Sequence, residues 1–363
     1  MKTFIEPLKE LKEFNDIRDN IIINNLPVQI TGCIDSQKCH LIHGLGDGIT
    51  FKVIVTHNDL KAKEIYEDYR LYDRNVFLYP SKDIIFYSAD IHGRAIVTER
   101  LKIIRRIIEN QPTTIVMSID GGMDKLLPLK MITDRVITIT HDSVIRLSDF
   151  GLALTRLGYE RQAQVETPGD FAIRGGIIDI FPLTEEAPYR IELWGDEIDS
   201  IRTFDVSSQR SIEQVDKLVI YPAAEIIPDE KQIAEGLGRI DEEEKKYIKS
   251  LKEQNKTEEA ARIRRIIEEF KENLEAYQGT MALESYINYF YDNTMSFYEY
   301  FDDRDTLFFL DEPGRLIEKG DAVETEFRES MIGRIEKGYI LPGQIDVIYG
   351  YKDVLNILSK KST

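Results

Sequence analysis

The chain has 363 residues, 42% of them apolar and 31% charged, which fits two or three globular domains and excludes a disordered or fibrous polypeptide. A formal net charge of −18 argues against general affinity for a phosphate backbone, because releasing counterions takes a basic stripe. Two cysteines, Cys33 and Cys39, exclude a disulfide framework.

No apolar run reaches membrane-spanning length, and the amphipathic N-terminal segment, interrupted by acids, has no signal-peptide core. The chain therefore reads as cytoplasmic. His40 and His43 follow the cysteines closely. Yet Cys39 and His40 are adjacent and His43 sits in an apolar helical run, so tetrahedral convergence on a metal is not expected.

In chain order, apolar runs at 28–31, 51–56, 76–79 and 114–118 predict buried strands, with helical spacing over 60–72 and 94–109. The alternation predicts a parallel, doubly wound sheet in residues 1–119, with ligands beyond the C-terminal ends of its strands. The loop after the first expected strand runs Gly32-Cys33-Ile34-Asp35-Ser36-Gln37-Lys38-Cys39. It has the length and the lysine of a phosphate-binding loop of the form GxxxxGK[ST]. Gln37 replaces the second glycine, whose bare backbone lets N–H groups curl around phosphates, and Cys39 replaces the hydroxyl that holds Mg²⁺. Asp35 adds negative charge where phosphates would lie. A later apolar run ends in Asp311-Glu312, a pair that in a working site holds the metal and orients a water. Gly32, Gln37, Lys38, Cys39, Asp311 and Glu312 thus read as a degenerate nucleotide site, and the chain is expected to use no cofactor or metal.

From about residue 120 the pattern changes. A short strand over 136–140 and a helix over 147–157 precede segments at 171–181, 189–194, 198–204 and 217–221 that alternate apolar and polar residues. Turn chemistry separates them, so an antiparallel meander is predicted. Gly175-Gly176 inside the first segment reads as a bulge. In the second, Ile191 and Leu193 share one face, which leaves Arg190, Glu192 and Trp194 on the other. Two charges beside the only tryptophan fit a docking surface, or a solvated strand face with one partly buried aromatic. Residues 120–221 are expected to form an inserted α+β domain, left through Pro222-Ala223-Ala224-Glu225.

Residues 222–363 are expected to contain a helical region and then a segment returning to complete the first domain. The charged stretch 241–277 carries an intermittent apolar stripe with a break at Asn255-Lys256-Thr257, which predicts a packed helix pair. The aromatic stretch from Ser285 onward could stack on bases, but it has acids where a basic groove is needed, so core packing is predicted. The last segment runs into Lys360-Lys361-Ser362-Thr363 without a closing element and reads as part of something longer.

Four segments, GDFAIRGGIIDIFP, APYRIELWGDEIDSIRTFDVSSQRS, YPAAE and TLFFLDEPGRLIE, resemble the N-terminal, UvrB-homologous region of the bacterial transcription-repair coupling factors. That region is itself similar to the repair helicase subunit UvrB. The resemblance covers nearly the whole chain, and the motif from Arg174 to Phe204 is its most specific part. UvrB would carry an intact phosphate loop, an aromatic damage-probing hairpin and a second helicase domain, so Gln37 and Cys39 favour the coupling factors. The implied fold is α/β: a degenerate helicase-like, P-loop-type parallel-sheet domain with an inserted α+β domain containing the meander. The implied function is non-catalytic recruitment of UvrA through the inserted domain, linking stalled RNA polymerase to nucleotide excision repair. Arg174, Arg190 and Trp194 match the family's UvrA-binding positions, with tryptophan where phenylalanine is expected. Polymerase binding and ATP- and Mg-dependent DNA translocation would belong to parts of the family C-terminal to this region.

Two further readings compete. One is a UvrB-like ATPase built on Lys38 and Asp311-Glu312. The other is direct DNA binding through Arg262, Arg264 and Arg265, against the net charge.

Overall fold

The computed structural model describes residues 2–82, 91–275, 283–302 and 305–363. Two amphipathic helices, α1 (Lys2–Lys9) and α2 (Lys12–Ile22), pack Leu8 and Phe14 with Leu45 at the end of α3 (Asp35–Leu45). The apolar run FKVIVT forms β1 (Phe51–Thr56), buried along its whole length. Asn58 then starts α4 (Asp59–Tyr69) by accepting a hydrogen bond from the Lys61 N–H at 2.8 Å. Strand β2 (Val76–Tyr79), helix α5 (Ile91–Ile108) and the fully buried β3 (Thr113–Ser118) continue the alternation, followed by a short α6 (Leu129–Thr133).

The next unit holds β4 (Ile137–Thr140), α7 (Leu147–Arg156), β5 (Glu160–Arg161), β6 (Asp170–Arg174) and β7 (Ile177–Ile180). It continues through β8 (Tyr189–Trp194), β9 (Glu197–Phe204), β10 (Ser211–Gln214) and β11 (Lys217–Ile220). Asp229 and Gln232 then exchange reciprocal capping bonds of 2.8 and 2.9 Å to launch α8 (Glu230–Glu253). The predicted break separates it from α9 (Thr257–Glu275), and the apolar stripe of Ile248, Leu251, Ala260, Ile263 and Ile267 is buried between the pair. The end of the predicted stretch, 276–277, lies outside the described residues. The chain returns through α10 (Ile287–Phe290), β12 (Thr306–Leu310), α11 (Pro313–Glu336) and α12 (Tyr351–Leu358).

The body sheet is parallel, in the order β12-β1-β3-β2, with the late strand β12 paired to β1 from Phe51–Thr306 to Val55–Leu310. The structure is thus mixed α/β, with a helicase-like parallel sheet and an antiparallel meander. The aromatic stretch is core: Tyr289, Phe290, Phe297, Tyr298 and Phe301 are all buried. No helix among the described residues is long and apolar enough to cross a membrane.

Four local expectations are corrected. Residues 28–31 are extended but form no strand. The last residues of the chain stand beside β12, where the Phe308 N–H donates to the Ser362 carbonyl at 2.8 Å, and the Val28 N–H reaches the Thr363 carbonyl at 3.2 Å. One such bond builds no ladder. The expected phosphate loop is half helix, since α3 begins at Asp35 and takes up Gln37, Lys38 and Cys39.

Residues 171–181 are a hairpin, β6–β7, and not one bulged strand. Gly175 turns it at φ +60°, and a Cβ on Gly176 would meet the Leu193 carbonyl oxygen at 3.0 Å. Finally, 217–221 does not close the meander: β11 pairs with β4, and β10 takes the edge beside β9.

Candidate functional site: an arginine pair on the meander

The six-stranded sheet runs β10-β9-β8-β7-β6-β5. Its register sorts the side chains by face, since residues two apart on a strand point the same way. Ile173, Ile178, Ile191 and Ile201 line up across four strands and face the core, with α7 packed over the β5–β6 end of the row. Gly151 on α7 permits that approach, because a Cβ there would sit 3.0 Å from Ile173 Cδ1. The opposite face carries the row Ala172, Asp179, Arg190, Arg202, then the row Arg174, Ile177, Glu192, Ser200, and at the tip Trp194 opposite Glu197. Strand alternation had placed Arg190, Glu192 and Trp194 together, and the register adds Arg174 to them.

Asp179 organises this face. Its side chain is 1% exposed and accepts from Arg174 Nη2 at 2.6 Å, from Arg190 Nε at 2.6 Å and from Arg190 Nη2 at 2.8 Å. Arg190 also donates through Nη1 to the Gln209 carbonyl at 3.2 Å and through Nη2 to Gln209 Oε1 at 3.3 Å. Its guanidinium lies 4.6 Å from the Phe204 ring centroid, above a small apolar cluster of Val165, Ala172, Phe181 and Phe204. Hydrogen bonding to Asp179 holds Arg190 above the usual arginine range, so the fork is permanently charged.

Glu192 is engaged by Ser200 Oγ at 3.0 Å and by Arg202 Nη2 at 3.5 Å. Trp194 is 83% exposed at the β8–β9 turn, beside Gly195 at φ +65°. On a chain of net charge −18 this face is balanced in charge: Arg174, Arg190 and Arg202 stand with Asp179, Glu192 and Glu197. An exposed indole on a strand face that also carries arginine forks has the composition of a protein-binding hot spot. Sequence reasoning missed Asp179, Gln209 and Phe204. The available signal was a carboxylate between Ile178 and Ile180, on the arginine side of the alternation.

Of the residues expected to form a degenerate nucleotide site, Lys38 and Asp311 come together. Gly32 turns at φ +84° just before α3. Lys38 Nζ lies 2.8 Å from Asp311 Oδ1 and 3.0 Å from Asp35 Oδ1; Lys61 Nζ holds the other Asp35 oxygen at 3.0 Å, and Thr56 Oγ1 reaches Asp311 at 3.3 Å. The Lys61 and Lys38 ammoniums bring the Asp35 pKa down to about 2. Burial works against the Lys38 charge, but the bonds to Asp311 and Asp35 outweigh it and raise its pKa. Gln37 Oε1 accepts from the Ile34 N–H at 3.3 Å.

Cys39 is buried with Ile54, Ala62 and Ile65, its Sγ 3.9 Å from the Ile65 carbonyl oxygen, and burial pushes its thiol up to about 11. Glu312, at φ +53°, caps α11 and meets Arg315 at 3.2 Å. These residues do not fit a nucleotide. The one lysine of the loop is held by two carboxylates, the hydroxyl position points into an apolar cluster, and a side chain stands where a bare backbone must curl. Of the other expected cations, Arg262 donates to the Lys337 carbonyl and lies 4.8 Å from the Tyr339 ring.

The parallel-sheet body and the arginine-bearing meander define a protein of the UvrB-homologous class, and residues 137–226 match the family described as the UvrB interaction domain. Over most of its length the chain is a relative of the transcription-repair-coupling factors. It is 34% identical to that of Bacillus subtilis over 292 residues, 79% of this chain and 24% of that protein. It is 26% identical to that of Staphylococcus epidermidis over 361 residues and 27% to that of Staphylococcus aureus over 349, 97% and 94% of this chain. Each of these two matches spans 29% of the staphylococcal protein, so the chain covers under a third of the length of these relatives. The resemblance drawn from the motifs is borne out.

Proposed function

We propose that this chain is a UvrA-docking module, with residues 120–221 as the docking unit and 1–119 and 222–363 as the body that carries it. The observation that carries the reading is the face on which Asp179 gathers Arg174 and Arg190 beside the bare indole of Trp194. Planar forks recognise carboxylates in two-point fashion and a large exposed ring supplies apolar area, which suits an acidic partner surface with an apolar cup. In the whole protein the module would bring UvrA to RNA polymerase stalled on damaged DNA, in the cytoplasm. ATP and Mg²⁺ would be spent by a translocase elsewhere in that protein.

The module itself is read as non-catalytic. Support comes from Lys38, paired with Asp311 and Asp35, and from Gln37 and Cys39 in the loop. Parallel calorimetric titrations of the purified chain test both halves of the proposal. Heat with UvrA and none with Mg-ATP is expected. Heat with Mg-ATP that Lys38→Ala abolishes would instead make the chain a UvrB-like ATPase fragment.

A further inference from the structure

The two arginines of the face are not equivalent. Arg190 is 15% exposed, commits Nε and Nη2 to both oxygens of Asp179, adds Gln209 through Nη1 and Nη2, and rests on the Phe204 ring. Four of its five N–H donors are thus committed, so a partner carboxylate gripping Arg190 at two points would have to displace Asp179, buried to 1%, or Gln209. Breaking a buried, hydrogen-bonded pair strands a charge and is strongly unfavourable. Arg174 differs. It is 48% exposed and gives a single bond, Nη2 to Asp179, so its Nε and Nη1 have no partner among the described residues. The bond anchors one corner of the fork and leaves the rest of a half-exposed guanidinium uncommitted.

We infer that Arg174 is the fork that grips a partner carboxylate, and that Asp179 and Arg190 are positioning residues forming the mount that aims it. The inference rests on the docking reading and assigns separate tasks within it. It also reverses the expectation from charge alone. If net positive charge drew the partner, Asp179→Asn, which leaves two unneutralised guanidiniums, would tighten binding to an acidic surface. If Asp179 is the mount, the same substitution frees Arg174 to wander over its rotamers, and binding weakens because that order must be restored on association.

Binding of UvrA to the full chain separates these outcomes. Arg174→Lys, which keeps the charge and loses the fork, is expected to weaken binding by about tenfold or more. Asp179→Asn is expected to weaken it by a similar factor, about tenfold. Should Asp179→Asn fail to fold, the wild-type chain still decides. In a nitrogen-15 spectrum of the arginine Nε–Hε groups, the Arg190 proton exchanges slowly in the free chain and keeps its position when UvrA is added. The Arg174 proton exchanges fast when free, then shifts and slows on binding.

Tighter binding by folded Asp179→Asn overturns the inference, and so does a spectrum in which Arg190 responds and Arg174 does not. Absence of any UvrA binding by the wild-type chain overturns the docking reading itself, and this inference with it.

Discussion

Replacing Arg100 by methionine tests whether one buried guanidinium ties the proposed docking unit to the rest of the chain. Arg100 sits on α5 with its side chain wholly buried. It donates a hydrogen bond to Asp124 at 2.5 Å, forms an ion pair with Glu225 at 2.9 Å, and lies 4.5 Å from the Tyr79 ring centroid. Asp124 precedes β4 near the start of the proposed docking unit and Glu225 follows β11 just past its end, so the same side chain touches the chain at both ends of that unit. Removing one partner of a buried pair costs about 3–5 kcal/mol. Lys82 continues to neutralise Glu225, and the Asp124 side chain keeps 11% of its exposure, so Arg100→Met belongs at the lower end, about 3 kcal/mol.

The sign of the pH dependence follows. Burial alone would raise the Glu225 pKa, but Arg100 and Lys82 outweigh it and hold it below the ordinary glutamate value. In the wild type its contribution is therefore present above the unfolded pKa and lost as pH falls through the folded one. In Arg100→Met the carboxylate is less well paired and protonates more readily, so the deficit shrinks as pH falls. Urea unfolding at neutral and mildly acidic pH measures both effects. Glu225→Gln added to Arg100→Met is expected to recover part of the loss, while UvrA affinity of the folded variant stays within about twofold, since Arg100 shares no contact with Arg174, Arg190 or Trp194. Unfolding midpoints equal to the wild type's, or a deficit that grows on acidification, would refute the reasoning.

Three other outcomes are expected. Trp194→Ala leaves unfolding within about 0.5 kcal/mol because the ring is 83% exposed, yet it weakens UvrA binding by about 2 kcal/mol or more, measured by titration. Lys38→Ala lowers stability by about 1–2 kcal/mol through its lost bonds to Asp311 and Asp35, while adding Mg-ATP does not shift the melting of the wild type. His43 is buried against the Tyr69 and Tyr72 rings, and burial, then the Lys52 charge, lowers its pKa from 6.5. Its unfolded form binds the proton more readily, so its contribution is complete above about pH 6.5 and is lost as pH falls below that. Unfolding of His43→Leu measured against pH should accordingly fall less steeply on the acid side than the wild type.

The body was legible where side-chain pattern and backbone pairing agree. FKVIVT and TIVMS are continuous apolar runs because both faces of a central parallel strand are buried, and they became β1 and most of β3. Residues 28–31 have the same strand-forming composition, but composition cannot supply a partner ladder, and the neighbour that would provide one lies at the far end of the chain. Helix α11 passed unread because its buried residues Leu316, Phe327 and Met331 make only a thin stripe among charges and three glycines.

At the arginine face, alternation within β8 gave Arg190 and Trp194 one side, a property of a single strand. Asp179 joins them only through the register of three strands, set by the turn at Gly175-Gly176 and the loop before Tyr189. Arg100 did carry a local signal: it shares a helical face with Val97, Leu101 and Ile104, where an arginine must either be paired or unfold its surroundings.

The single tryptophan offers the most direct measurement of the central claim. With 5-fluorotryptophan incorporated, the chain gives one fluorine resonance, and its shift between H₂O and D₂O reports contact of the ring with solvent. The account predicts a large solvent shift for the free chain, which is lost as UvrA is added to saturation. UvrA binding that leaves the resonance and its solvent shift unchanged would contradict it, and would place the docking surface elsewhere on the molecule.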